Sequence, residues 1–272
     1  MDRCVATVCI LLVVLLGLAA GSAAASPIYA LGSSDEGRKA QEVLYVVDAI
    51  TGALTRVGAV ADGSHPIGLE SLAFTPDLGL YGVGQGALYH VNTSTGQATE
   101  VGPLGVNLTA MVYGANGEVY GTAGNRLYSV DLSTGKATLI GSGNYHSPES
   151  LEFDALGVLY ATVGGDEENS LYRINPATGA GTRVGSPGAI GFSEVEGLTF
   201  VKGTMYAFTE SGLEISINLT NGTGSLVRNL CVDIEATAVD PPQAPEPPSL
   251  WLAGVALAGL LGWRRTALPV LG

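Results

Sequence analysis

A short phrase recurs five times in this chain: an Asx residue, two variable residues, Thr-Gly or Asn-Gly, then Thr or Ser three residues further on. The copies are Asp48-Ala-Ile-Thr51-Gly52 with Thr55, Asn92-Thr-Ser-Thr95-Gly96 with Thr99, Asp131-Leu-Ser-Thr134-Gly135 with Thr138, Asn175-Pro-Ala-Thr178-Gly179 with Thr182, and Asn218-Leu-Thr-Asn221-Gly222 with Ser225. Successive Asx positions are 44, 39, 44 and 43 residues apart. A unit of that length cannot bury an apolar face alone, so neighbouring copies must stack against one another.

Each phrase lies between two alternating segments. Leu44-Tyr45-Val46-Val47, Leu88-Tyr89-His90-Val91, Leu127-Tyr128-Ser129-Val130 and Leu171-Tyr172-Arg173-Ile174 precede it, with the looser Leu213-Glu214-Ile215-Ser216-Ile217 in the fifth copy. Thr55-Arg56-Val57-Gly58 and its counterparts follow. Period-two alternation of β-branched and aromatic residues reads as strand. An Asx side chain bonds backbone two residues on, and glycine supplies positive φ, so the phrase itself reads as a hairpin turn. Two further strands repeat upstream, such as Glu70–Phe74 followed by Leu80-Tyr81-Gly82. The first copy has Ile28-Tyr29-Ala30 but no strand before it, whereas Glu235-Ala-Thr-Ala-Val239 stands unmatched at the far end. The spacing therefore predicts an all-β fold, a five-bladed β-propeller over residues 26–240, closed by a C-terminal strand that completes the first blade.

The ends differ from the repeats. Arg3, the apolar run Val5 to Ala20 and the small-residue site Ala23-x-Ala25 read as a signal peptide over residues 1–25, with a mature start at Ser26. Removing it takes away Cys4 and Cys9 and leaves Cys231, with no intramolecular partner in the mature chain. Cys231 is expected as a small buried apolar residue. Residues 241–248 form a Pro-rich, stiff linker. Residues 249–272 hold an apolar run, Leu250 to Trp263, followed by Arg264-Arg265, which suits a short transmembrane helix with a positive-inside stop.

This tail resembles the PEP-CTERM sorting signal, through Pro245-Glu246-Pro247, the apolar stretch Ser249 to Gly262, and the pair Arg264-Arg265. The resemblance implies recognition by an exosortase-type membrane protease. It also implies transient anchoring in the inner membrane before processing, and delivery to the cell surface or extracellular matrix of a Gram-negative, exopolysaccharide-producing bacterium. An ordinary C-terminal membrane anchor is the alternative.

The chain carries 25 acids against 12 bases, a net charge of −13, and no basic stripe, which argues against nucleic acid as a partner. One constellation stands above this background. Glu70, Glu149, Glu196 and Glu235 take the same repeat position at the start of the innermost strand, and Thr109 takes it in the remaining copy. Those starts converge at one mouth of the central channel, where carboxylates and a hydroxyl offer a hard-cation site for calcium. The alternative is structural: alternation places Glu70 on the face of Leu72 and Phe74, toward the next blade, as an acceptor for backbone N–H groups. The five Asx residues make another ring, which their turn role already explains. His65 and His146 fall on loops upstream of ring glutamates and read as exposed.

No nucleophile-elbow motif is present. The leading expectation is a binding or structural propeller with a polysaccharide or a surface protein as partner. The alternative is a glycan-acting hydrolase or lyase using channel carboxylates, which needs a pair roughly 5–5.5 or 6.5–9.5 Å apart.

Overall fold

The computed structural model describes residues 27–33, 41–76, 79–164 and 169–239. The chain divides into two units between Pro241 and Pro242, and only the first holds described residues. The signal segment, the linker and the sorting tail lie outside the described residues.

Five four-stranded antiparallel sheets make the ring. Blade 1 holds β1 (Ile28–Ser33), β2 (Val43–Val47) and β3 (Leu54–Ala59). A two-stranded ribbon, β4 (Ala61–Asp62) with β5 (His65–Pro66), leads to the next blade. Blade 2 is β6 (Ser71–Thr75), β7 (Gly79–Gly84), β8 (Ala87–Val91) and β9 (Ala98–Pro103). Blade 3 is β10 (Ala110–Tyr113), β11 (Val119–Ala123), β12 (Arg126–Val130) and β13 (Ala137–Ser142). Blade 4 is β14 (Pro148–Phe153), β15 (Leu159–Val163), β16 (Ser170–Ile174) and β17 (Gly181–Val184). Blade 5 is β18 (Val195–Val201), β19 (Thr204–Thr209), β20 (Leu213–Ile217) and β21 (Gly224–Asn229). The last strand, β22 (Asp233–Val239), pairs antiparallel with β1, Ile28 opposite Val239, and supplies the missing inner strand of blade 1. The innermost strands β6, β10, β14, β18 and β22 touch in succession around the axis. Closure by the C-terminal strand is thus observed, and it removes the two free edges that an open ring would expose.

The Asx turns form as the side-chain chemistry requires. Each Asx Oδ1 accepts the N–H two residues on: Ile50 at 3.0 Å, Ser94 at 2.9 Å, Ser133 at 2.8 Å, Ala177 at 2.9 Å and Thr220 at 2.8 Å. The repeat glycine of each turn then donates to the Asx carbonyl at 2.8 Å in all five copies. These side chains are occupied in holding turns.

Between blades, apolar slots pack and polar staples lock. Leu44, Leu88, Leu127 and Leu171 are fully buried, and the tyrosines beside them are almost so. At every seam one side chain also bonds backbone of the neighbouring blade. Glu42 accepts from Leu69 N–H (2.9 Å), Ser71 from Met111 N–H (2.9 Å), and Thr109 donates to Pro148 O (2.8 Å). Thr162 donates to Val195 O (2.8 Å) and Thr237 to Leu198 O (2.9 Å). Such bonds satisfy backbone groups where the inner strands converge.

Cys231 departs from expectation. It is exposed, adopts φ of 58°, and its N–H is held by Asn229 Oδ1 at 2.7 Å. A turn in the left-handed region between β21 and β22 places the residue at the surface, so the buried-thiol reading fails.

Candidate functional site

The four glutamates share one backbone device. In β14, Pro148 pairs with Val163 and Ser150 with Thr162, so Glu149 is the extra residue of a bulge. Glu196 is extra between Val195 and Gly197, and Glu235 between Ile234 and Ala236. Glu70 and Thr109 repeat the arrangement just ahead of β6 and β10. Their N–H groups donate to Val83 O (2.7 Å) and Thr122 O (2.8 Å), the residues that Ser71 and Ala110 already face. An inserted residue breaks the two-residue alternation and re-aims its side chain. The glutamates therefore leave the Leu72–Phe74 face on which simple alternation puts them.

The carboxylates come within electrostatic reach of one another. Burial raises Glu149 to about 7, with further contributions from the charges of Glu210 and Glu194. Glu149 Oε2 is buried without a hydrogen-bond partner, and its carboxylate lies so close to Gly164 that a Cβ there would overlap it. Glu196 is raised by burial and by Glu210, whose carboxyl it hydrogen-bonds, and then by Glu149 and Glu235. Glu235 is raised by burial, then by Glu210, Asp233 and Glu70. Glu42 is pushed up to about 8 by burial, despite the Leu69 N–H that it accepts. The result is one acidic arc linking blades 4, 5, 1 and 2. Thr109 interrupts it in blade 3, where its hydroxyl is committed to Pro148 O and also lies 3.3 Å from Thr122 O.

Glu42, Glu194, Glu210 and Asp233 were not singled out by the repeat. Glu42 precedes β2, and Glu210 follows β19, so both belong to the connection between the second and third strands of a blade. Antiparallel order returns that connection to the end where the inner strand begins, and the same order puts the Asx turns at the opposite end. Connections vary in length and type, so the sequence signal was only topological. His65 in β5 and His146 ahead of β14 are both exposed, on links at the acidic end.

Among the described residues, no group of three or more Asp, Glu, His or Cys side chains converges closely enough to hold a metal ion. The arc as it stands is a set of neighbouring, partly desolvated acids rather than a preformed cage. An open pocket of about 420 Å³ lies elsewhere, between blades 2 and 3, lined by Pro103–Val106, Arg126, Tyr128, Lys136 and Ala137.

These features define a closed five-bladed β-propeller with an acidic mouth. Its C-terminal segment matches the model of the PEP-CTERM protein-sorting motif over residues 243–265, a span that takes in Pro245-Glu246-Pro247 and Arg264-Arg265. The chain thus carries a PEP-CTERM sorting motif behind a β-propeller domain, and the motif implies export. Comparison with curated proteins finds no match. Among solved structures, a chain of a nidogen/laminin complex is similar at 12% identity and TM-score 0.53, over 81% of this chain and 87% of that one. A chain from work on the de novo evolutionary emergence of a symmetrical protein aligns at 19% identity and TM-score 0.49, covering 78% and 93%. A chain of Kuenenia stuttgartiensis hydrazine synthase aligns at 17% identity and TM-score 0.42, covering 79% and 69%. At 12% identity the likeness to the nidogen/laminin chain is one of fold.

Proposed function

We propose that this protein is an exported binding or structural module of the cell surface or extracellular matrix, released or attached after an exosortase-type protease reads Pro245-Glu246-Pro247. The observation that carries the reading is the order along the chain: a ring whose closing strand ends at Val239, then a sorting motif from residue 243. A self-contained ring followed at once by an address is the layout of a passenger delivered intact. Its partner on this reading is a polysaccharide or a surface protein. The test is fractionation of producing cells. Wild-type protein is expected outside the cell or on its surface, associated with extracellular polymer. Replacement of Pro245, Glu246 and Pro247 by alanine is expected to leave it in the inner membrane. Normal delivery of that variant would sink the sorting arm.

A second reading concerns the acidic arc. Glu70, Thr109, Glu149, Glu196 and Glu235 are proposed as ligands for calcium, drawn together when the cation arrives, because mutual charge and burial make the metal-free arc unfavourable. Calcium is expected to raise the thermal midpoint of the wild type. A rise that survives replacement of all four glutamates by glutamine would end the idea. Glycan cleavage by the same acids is the alternative, favoured by the raised carboxyls of Glu149 and Glu196, which suit a general acid. Polymer shortening that disappears in Glu196→Gln would promote it.

A further inference from the structure

The pocket between blades 2 and 3 breaks the repeat in a way the fold does not need. Arg126 stands five residues before its Asx, a slot filled by Val43, Ala87, Ser170 and Leu213 in the other blades. Val43, Ala87 and Ser170 are buried there, whereas Arg126 is exposed. Lys136 stands five residues after the Asx, where the other copies have Ala53, Gln97, Ala180 and Thr223. Neither side chain forms a salt bridge or hydrogen bond among the described residues. The two acids of blade 3 are engaged elsewhere: Glu118 with Asn116 and Tyr120, and Asp131 within its own turn. In a chain of net charge −13, two unneutralised cations share one concave site.

The register separates those cations. Arg126 faces Ser142 and Val130 faces Ala137, so Arg126 and Lys136 stand at opposite ends of the β12–β13 hairpin. Five residues of strand span roughly 15 Å. Between them the floor is apolar, made by Leu104, Val106, Tyr128 and Ala137. Ala137 N–H is tied to Leu104 O at 3.1 Å, which fixes the floor across the seam. Cations at both ends of an apolar floor suit an extended ligand with spaced negative charges and C–H-rich faces between them. A compact anion such as phosphate calls instead for donors that converge on one point.

We infer that this groove is a binding subsite for a carboxylated sugar chain, with Arg126 and Lys136 each taking a carboxylate and the floor taking ring faces. The inference rests on the reading of the propeller as a glycan-binding module. The cavity of about 420 Å³ takes the middle of such a chain, whose charged groups reach the cations at either end.

The test is titration of the full-length protein with short oligogalacturonates, and with neutral oligoglucans and poly-glutamate as controls. The variants are Arg126→Ala and Lys136→Gln, which install the residues that blade 2 carries at those slots, so the fold is retained. Oligogalacturonate is expected to bind in preference to both controls, and the double variant is expected to bind it at least about tenfold more weakly at an unchanged thermal midpoint. Undiminished uronate binding by the double variant overturns the site. Equal binding of neutral glucan or poly-glutamate overturns the ligand class. Binding of crude extracellular polysaccharide without uronate binding overturns this inference alone. No binding of any glycan removes the glycan reading along with it.

Discussion

The fifth blade shows how much one residue decides. Glu214 occupies the slot of the buried Leu44, Leu88, Leu127 and Leu171, and is itself only 4% exposed. Arg228 pairs opposite it, where Gly58, Gly102 and Gly141 face the leucines of blades 1 to 3. The two side chains form a salt bridge at 3.1 Å, and Arg228 also donates to Ile50 O on blade 1 at 3.0 Å. The substitution is paired: one larger side chain and one charge answer another. Arg228→Ala is expected to cost about 3 kcal/mol in denaturant unfolding, since it leaves a buried carboxylate alone. Glu214→Leu with Arg228→Gly, which installs the pairing of blades 1 to 3, is expected to fall within about 1 kcal/mol of wild type. The looseness of this copy was legible in the sequence, but its salt bridge was not, because Arg228 lies across a hairpin from its partner. Titration belongs to this scale too. Burial raises Glu42 to about 8 and Glu149 to about 7, from 4.5. The folded state thus binds more protons over that window, and stability is greatest below it and falls as pH rises through it. The thermal midpoint is expected to be higher at about pH 5 than at about pH 8, with a shallower slope in Glu149→Gln.

At the scale of the element, the repeat glycines serve two neighbours at once. The Asx turn of each blade nests against the preceding outer strand: Thr95-Gly96 against Gly58, Thr134-Gly135 against Gly102, and Thr178-Gly179 against Gly141. A Cβ on Gly141 would overlap the carbonyl of Thr178. Gly141→Ala is expected to cost ~2–3 kcal/mol, because the obstacle is backbone and cannot step aside. Alanine at Gly105, which meets no atom within 4 Å, separates space from backbone preference, since its φ of 77° still disfavours a side chain. The Asx turns were legible because residue type, spacing and glycine position all state the same geometry. The bulges were not. An inserted residue changes a side chain's direction without changing residue type, so the alternation that puts Glu70 with Leu72 and Phe74 does not carry over to Glu149, Glu196 and Glu235. The partners Glu194 and Glu210 were missed for a related reason: their nearness comes from strand order, which no single repeat displays.

For the whole molecule, the five-fold period and the unmatched strands at the two ends were enough to predict both ring size and closure. Neither needs detail beyond counting and pairing. A chain ending before Asp233 leaves β1 with an open edge and removes Ile234, Ala236 and Ala238 from the core. Loss of the cooperative thermal transition is expected for such a truncation, and a wild-type midpoint would refute closure as a source of stability. The acidic excess belongs to this scale as well. It is spread over several blades, and the cationic groove of blades 2 and 3 stands out against that background.

The pairing of β1 with β22 also sets a clock. Synthesis and export run from the N-terminus, so Ile28 emerges early and its partner Val239 last of all the propeller residues. The first blade must wait, three strands wide, through the passage of the other four. Only then do some 200 residues of chain close on themselves, a separation that makes this the slowest contact to form. The sorting motif begins four residues after that strand. Completion of the fold and exposure of the address are thus nearly simultaneous, and a molecule stalled before its final strand presents neither a finished ring nor a label for delivery.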